Sequence, residues 1–122
     1  MSNGEGKRDG RRLTVLVVDD EPLLLAALAR QLHRQLGWRV LTAANPGTAQ
    51  VLYPDADIVL TDWDMPNGGG ARVMAECGKP VVIHSADPPL GCPNRVHKPA
   101  TFEEIVRALL GALQASERTG SG

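Results

Sequence analysis

The residues best suited to chemistry lie where short apolar runs of this chain end. In chain order they are Asp19, Asp20, Glu21, Asp62, Asp64, Ser85 and Lys98. Carboxylates packed closely repel one another unless a cation neutralises them, and hard oxygen ligands suit Mg²⁺. A carboxylate not fully used by a metal could attack phosphorus and become an aspartyl phosphate. Such a transfer also needs a fixed cation and a hydroxyl, which Lys98 and Ser85 would supply.

These residues meet only if the apolar runs before them are parallel strands. Leu13–Val18 is aliphatic and β-branched, without polar alternation, as expected for a strand buried on both faces. Further strand candidates are residues 38–43, 57–61, 80–84 and 94–97. The carboxyl ends of parallel strands share one edge of a sheet, where binding sites form at the point at which the strand order reverses.

Helical patterns alternate with these strands. A helix starts at Pro22, carries leucines at helical spacing and stops at Gly37. Asn45-Pro46 begins a short helix that ends near Tyr53, and a third short helix is predicted over residues 70–77. Thr101 and Glu104 form a capping box before the last helix, which keeps one face apolar. This alternation predicts an α/β fold with a doubly wound parallel sheet covered on both faces.

The composition limits the class of protein. With 122 residues and a net charge of -1, the chain predicts one domain and no nucleic-acid partner. No apolar run approaches the roughly 20 residues that span a bilayer, and no signal peptide is present, so we expect no membrane partner and a cytoplasmic protein. We assign residues 1–12 and 116–122 to disordered tails and residues 13–115 to the domain.

Four stretches resemble the receiver domain of bacterial response regulators. They are residues 17–22 (VVDDEP), 57–66 (DIVLTDWDMP) with Gly70, 83–86 (IHSA) and 97–99 (HKP). The resemblance implies a flavodoxin-like, five-stranded parallel sheet with strand order 2-1-3-4-5. It also implies a single-domain regulator of a two-component phosphorelay, which takes a phosphoryl group from a histidine kinase or histidine phosphotransfer protein. Such a receiver acts on a downstream protein target, here unknown, and turns over no external substrate.

The same resemblance implies roles for individual residues. Asp62 would be the phosphoacceptor. Asp20 would bind Mg²⁺ directly, Asp19 through water, and Asp64 through its backbone carbonyl. Ser85 and Lys98 would contact the phosphoryl oxygens, and the Lys98–Pro99 bond would be cis.

Two departures from the family pattern affect signalling. Twelve residues separate Ser85 from Lys98, and the stretch Ala86–Pro93 holds three prolines and a glycine. Proline removes a backbone donor, so we predict that the family's fourth helix is missing and replaced by a Pro-rich loop. Arg95 stands where the family usually has an aromatic residue that reorients on phosphorylation. We therefore predict that the signal is read on the Asp87–Pro93 loop and the last helix.

Two other readings remain open. A phosphorylation-independent interaction module that keeps the pocket residues would also fit the missing helix and Arg95. A phosphatase is the other alternative, because Asp62-Trp63-Asp64 resembles the Asp-x-Asp motif of haloacid-dehalogenase-type enzymes. That motif normally ends the first strand, whereas here it ends the third. Two acids near the pocket, Asp64 and Asp87, either tune phosphorylation or are merely solvated.

Overall fold

The five predicted strands form one parallel sheet in a computed structural model that describes residues 7–8, 11–92 and 94–120. Their order is β2-β1-β3-β4-β5. This confirms the flavodoxin-like fold and the strand order 2-1-3-4-5. The strands are β1 (Thr14–Val18), β2 (Arg39–Ala43), β3 (Ile58–Asp62), β4 (Val81–Ser85) and β5 (Arg95–His97).

The observed strand bounds differ by one residue from the expected ones in a way that matters for the site. β3 begins at Ile58 and includes Asp62, and β4 includes Ser85. Asp57 lies just before β3, where its carboxylate accepts a 2.8 Å hydrogen bond from the backbone N–H of Thr14. Asp62 and Ser85 are thus the last residues of their strands and share the rigidity of the sheet.

Among the described residues, four α-helices cover the two faces of the sheet. They are α1 (Pro22–Leu36), α2 (Pro46–Leu52), α3 (Gly69–Glu76) and α4 (Phe102–Gly120). Their ends follow the predicted signals. Gly37 closes α1 with φ 71°, the side chain of Asn45 accepts the N–H of Thr48, and Thr101 and Glu104 exchange both capping-box hydrogen bonds.

The core has one layer on each side of the sheet. On the side of α1 and α4, the buried residues include Leu32, Trp38 and Leu109. On the side of α2 and α3, they include Val59 and Val73. These layers fix the sheet against both pairs of helices and leave the carboxyl ends of the strands free to carry polar groups.

No helix forms in the described part of the segment between β4 and β5, residues 86–92 and 94. Instead, the N–H of Cys92 bonds to the carbonyl of Pro89 at 3.4 Å, and Arg95 Nη1 donates to the same carbonyl at 3.0 Å. The predicted loss of this helix is confirmed. We call residues 86–92 and 94 the β4–β5 loop.

The structure also describes part of both stretches that we assigned to tails. Lys7–Arg8 pairs antiparallel with Arg11–Arg12, and the guanidinium of Arg12 donates to the carbonyl of Gly37 at 3.0 Å. Helix α4 continues through Gly120, beyond the expected boundary at residue 115. The remaining tail positions, residues 1–6, 9–10 and 121–122, lie outside the described residues. In the part of the chain that is described, no helix is both long and apolar enough to cross a membrane.

Candidate functional site

Three aspartates from two strand ends form an acidic cluster. Asp19 and Asp20 follow β1, Asp62 ends β3, and the two strands are neighbours in the sheet. Each aspartate offers one carboxylate oxygen, and these oxygens lie within 4.8 Å of one another. Asp19 and Asp62 are buried and Asp20 is exposed. This set of hard oxygen donors, open to solvent on one side, fits a Mg²⁺ ion that keeps several water ligands.

Lys98 brings a cation to the cluster from the loop after β5. Its Nζ lies 3.2 Å from Asp19 Oδ2 and 3.3 Å from Asp62 Oδ1. The backbone N–H of Lys98 bonds to the carbonyl of Ser85 at 2.8 Å, and the Lys98–Pro99 peptide bond is cis, as expected. The sheet therefore holds the ammonium group directly between the two buried carboxylates.

The protonation equilibria of the site reflect burial and these charges. Burial raises the pKa of Asp62, the charge of Lys98 opposes this rise, and Asp19 adds to it, so the pKa stays above its ordinary value. Burial alone would lower the pKa of Lys98. The carboxylates of Asp19 and Asp62 outweigh burial and raise that pKa instead. The site therefore keeps a charged ammonium group beside a carboxyl group that is harder to ionise than usual.

Ser85 is engaged by two other groups of the site. Its Oγ donates a 2.7 Å hydrogen bond to Asp64 Oδ2 and accepts a 3.1 Å bond from the backbone N–H of Asp87. The N–H of Asp64 in turn donates to Asp62 Oδ1 at 3.2 Å. The hydroxyl group thus links the segment after Asp62 to the first residues of the β4–β5 loop.

A close backbone approach beneath Asp62 depends on a glycine. A Cβ placed on Gly70 would lie 2.6 Å from the carbonyl oxygen of Trp63 and 2.7 Å from that of Asp62. Both oxygens are main-chain atoms that cannot move independently of the site. Glycine at position 70 therefore lets α3 pack directly under the residues that carry the acidic cluster.

Most of the predicted site residues lie close together, and the structure adds one contact that the sequence analysis did not predict. Asp19, Asp20, Asp62 and Lys98 meet at one edge of the sheet, and Ser85 joins them through Asp64. Sequence reasoning noticed Glu21 as an acid at the end of the first strand but gave it no role. Its carboxylate lies 3.6 Å from Lys98 Nζ. The sequence feature that could have revealed this contact is the position of Glu21 directly after two aspartates that were already assigned to the site.

The chain matches a known protein family by sequence. The sequence model of the response regulator receiver domain matches residues 15–86. This match covers more than half of the chain, and it ends where the β4–β5 loop begins. The chain therefore belongs to the response regulator receiver domain family. Within this family, α4 of the present structure corresponds to the usual fifth helix, because the described residues between β4 and β5 form no helix.

Individual relatives agree with this assignment. The chain is 32% identical over 130 residues to the probable transcriptional regulatory protein TcrX of Mycobacterium tuberculosis, covering 93% of this chain and 54% of that protein. It is 35% identical over 85 residues to protein-glutamate methylesterase/protein-glutamine glutaminase 2 of Anaeromyxobacter dehalogenans, covering 64% of this chain and 25% of that protein. The chain thus spans about half the length of the first relative and a quarter of the second.

A solved structure matches the same fold. The response regulator receiver domain protein of Clostridium thermocellum superimposes with a TM-score of 0.72 at 22% identity, covering 87% of this chain and 98% of that one. At this identity the match supports the fold, while the family rests on the sequence match. The chain is thus a receiver domain of a two-component response regulator, a class of signalling domain.

Proposed function

We propose that this receiver accepts a phosphoryl group on Asp62, in the presence of Mg²⁺, and signals by protein–protein contacts. The observation that carries the proposal is the position of Lys98 Nζ, 3.2 Å from Asp19 and 3.3 Å from Asp62. A partly buried ammonium group fixed at a nucleophilic carboxylate can stabilise the charge that develops during phosphoryl transfer.

The acidic cluster supports Mg²⁺ as the metal. Asp20 and Asp62 would bind the ion with carboxylate oxygens, Asp19 through water, and Asp64 through its backbone carbonyl. When bound, the ion would neutralise charge on the phosphoryl oxygens. The exposure of Asp20 fits this proposal, because Mg²⁺ dehydrates reluctantly and usually keeps water ligands.

The transfer itself would be a displacement at phosphorus. A carboxylate oxygen of Asp62 forms the new P–O bond while the P–N bond of the donor's phosphohistidine breaks. The bonding electron pair leaves with the imidazole nitrogen, which takes up a proton from water. Asp62 must attack as the carboxylate, and the positive charge of Lys98 favours that form.

Ser85 and Lys98 would then bind oxygens of the phosphoryl group. For Ser85 this requires a change of partner, since its hydroxyl hydrogen is directed at Asp64. Donation to the phosphoryl group would break that bond and shift the Ser85 oxygen, which also accepts the N–H of Asp87. Phosphorylation would thereby reach the β4–β5 loop.

The β4–β5 loop and the face of α4 would carry the output. Leu90 is 88% exposed in this loop, although it is a large apolar residue. Arg95 is tied to the loop through Pro89 and so cannot act like the aromatic residue usual at its position. We propose a histidine kinase or histidine phosphotransfer protein as the upstream partner and a protein as the downstream target.

A second candidate is an interaction module that works without phosphorylation. Its support is the remodelled output region, where the usual fourth helix is absent from the described residues and Arg95 holds the loop. This candidate keeps the pocket residues as structural ion pairs. It predicts no response to a phosphoryl analogue.

Beryllium fluoride with Mg²⁺ distinguishes the two functions. We expect the full chain to bind this analogue, with backbone amide NMR shifts at Asp62, Ser85 and Lys98 that extend into residues 86–92. Asp62→Ala should abolish the shifts. Asp55→Ala, which removes an exposed acid outside the pocket, should leave them intact.

Two results would count against the proposal in different ways. An absence of binding by the unaltered chain would favour the phosphorylation-independent module. Binding with shifts confined to the metal pocket would support phosphorylation but contradict the proposed output through the β4–β5 loop.

A further inference from the structure

A groove between α1 and α4 lies behind the phosphorylation site. It has a volume of about 460 Å³, within the range of ligand pockets. Leu24 and Leu28 of α1 form one wall, Phe102 and Ile105 of α4 form the other, and His84 of β4 lies between them. We call this the His84 groove.

His84 is the unusual member of this lining. The residue is 4% exposed, and its Nε2 makes no hydrogen bond among the described residues. A buried polar atom without a partner costs stability, and native proteins leave few of them. A ligand in the groove that bonded to this nitrogen would recover that cost.

We propose that the His84 groove binds a small, uncharged, mostly apolar molecule that carries one hydroxyl group. This site is separate from the phosphorylation chemistry proposed above and does not depend on it. The apolar walls favour an apolar body, because burial removes that surface from water. A charged molecule would lose its hydration on entering the groove.

The hydroxyl group follows from the chemistry of an imidazole. A neutral imidazole nitrogen donates or accepts a hydrogen bond according to its tautomer. A hydroxyl group can pair with either tautomer, because it both donates and accepts. Burial lowers the pKa of His84 to about 4, so the ring is neutral at pH 7 and offers no charge to an anion. Lys98 also lines the groove, but its ammonium group is already paired with Asp19 and Asp62.

The test compares two probes of similar shape. 4-Methylphenol carries the hydroxyl group, is uncharged at pH 7 and has the same methyl-substituted ring as toluene, which lacks it. We expect 4-methylphenol to shift the His84 ring nitrogens and the amides of residues 24–28 and 102–105 in NMR spectra of the full chain. It should bind about tenfold more tightly than toluene, as expected for one net hydrogen bond.

Three variants locate the site. His84→Leu replaces the imidazole with an apolar side chain of similar size. The two probes should therefore bind this variant equally. Ala27→Met extends a side chain from the lining of the groove and should weaken both probes. Ala26→Met makes the same change at the neighbouring exposed position, which is outside the lining, and should change neither affinity.

If His84→Leu does not fold, Ala27→Met still tests the site, because Ala27 is exposed and this variant should fold. Equal binding of the two probes by the unaltered chain would overturn the proposal. Shifts outside the groove, or no shifts up to the solubility limit of 4-methylphenol, would overturn it as well.

Discussion

The hydroxyl group of Ser85 donates a 2.7 Å hydrogen bond to the carboxylate of Asp64, two residues beyond the proposed phosphoacceptor. A carboxylate is a strong acceptor, and charge-assisted bonds of this kind are about twice as strong as neutral ones. The bond therefore opposes the movement by which Ser85 would donate to a phosphoryl group. Asp64 also adds negative charge where an anionic phosphodonor must arrive.

Changes at Asp64 should raise the rate of phosphorylation. Asp64→Asn removes the charge and keeps an acceptor oxygen for Ser85, although the bond that remains is neutral and therefore weaker. We expect labelling of Asp62 by acetyl phosphate to accelerate roughly three- to tenfold, or about 1 kcal/mol in the barrier. Asp64→Ala also frees the hydroxyl of Ser85 and should be faster than Asp64→Asn. Initial rates at saturating Mg²⁺ measure both.

The control for this experiment is Asp87→Asn, which removes an exposed acid of the β4–β5 loop and leaves the backbone N–H that bonds to Ser85. We expect a smaller acceleration from it. An unchanged or slower rate in Asp64→Asn would refute the electrostatic argument. Equal rates in Asp64→Asn and Asp64→Ala would show that the hydrogen bond to Ser85 is not a barrier.

Loss of Lys98 should destabilise the fold in a pH-dependent way. Lys98→Met leaves Asp19 and Asp62 buried without their shared cation and raises the pKa of Asp62 further, because the opposing charge is gone. Removing one partner of a fully buried pair costs about 3–5 kcal/mol, and Lys98 is only partly buried, so we expect a loss below this range. In the folded state, Asp62 binds a proton more tightly than in the unfolded chain. The loss of stability in Lys98→Met should therefore be largest at neutral pH, and it should shrink as the pH falls and Asp62 is protonated.

Urea unfolding at pH 7 and pH 4, with a carboxyl NMR titration of Asp62, measures both effects. Mg²⁺ should restore part of the stability of Lys98→Met at pH 7, since it offers the carboxylates another cation. Lys79→Met, at a partly buried lysine before β4, should show neither the pKa change nor the rescue. A deficit of the same size at both pH values would contradict the account.

Local rules were enough to predict the elements and the acidic cluster. Proline at position 22 and glycine at 37 mark the ends of α1, and unbroken aliphatic runs mark the buried strands. Parallel strands align their carboxyl ends, so residues far apart in sequence were expected at one edge. The missing helix was also predictable, because the prolines of Ala86–Pro93 remove the backbone donors that a helix needs.

The contacts of individual side chains were not predictable in the same way. Ser85 was expected to face a phosphoryl group, yet its hydroxyl is bonded to Asp64. Spacing along the chain gives the strand end on which a residue lies, but rotamers and neighbouring loops decide its partner. A sheet covered on both faces predicts a buried β4, whereas the lack of a partner for His84 Nε2 depends on three elements packing together.

The buried ring of His84 should make stability fall in acid. The pKa of the imidazole is about 4 in the folded state, whereas an unburied histidine has a pKa of 6.5. Between these two pH values, only the unfolded chain takes up a proton at His84. Stability is therefore lost as pH falls through this window, by about 3 kcal/mol between pH 7 and pH 4. Urea unfolding of the unaltered chain and of His84→Leu measures the difference. Parallel pH profiles for the two proteins would contradict this origin.

Two glycine-to-alanine substitutions should have opposite effects on stability. Gly111 lies inside α4, and a Cβ there would meet nothing within 4 Å. Gly111→Ala should therefore raise the free energy of unfolding by about 0.5–1 kcal/mol, the difference in helix propensity. Gly70 also lies in a helix, but its Cβ would overlap the backbone of Trp63 and press on the carbonyl oxygens of Trp63 and Asp62.

Gly70→Ala should consequently reduce stability, because α3 or the end of β3 must move, and forcing backbone shifts into packed structure typically costs about 1–3 kcal/mol. The same movement would displace the carboxylate of Asp62 from Lys98, so labelling by acetyl phosphate should also slow, whereas Gly111→Ala should leave it unchanged. Chemical unfolding and labelling rates on the two variants test both consequences. A stabilised Gly70→Ala with normal labelling would show that α3 can be repositioned without moving the acidic cluster.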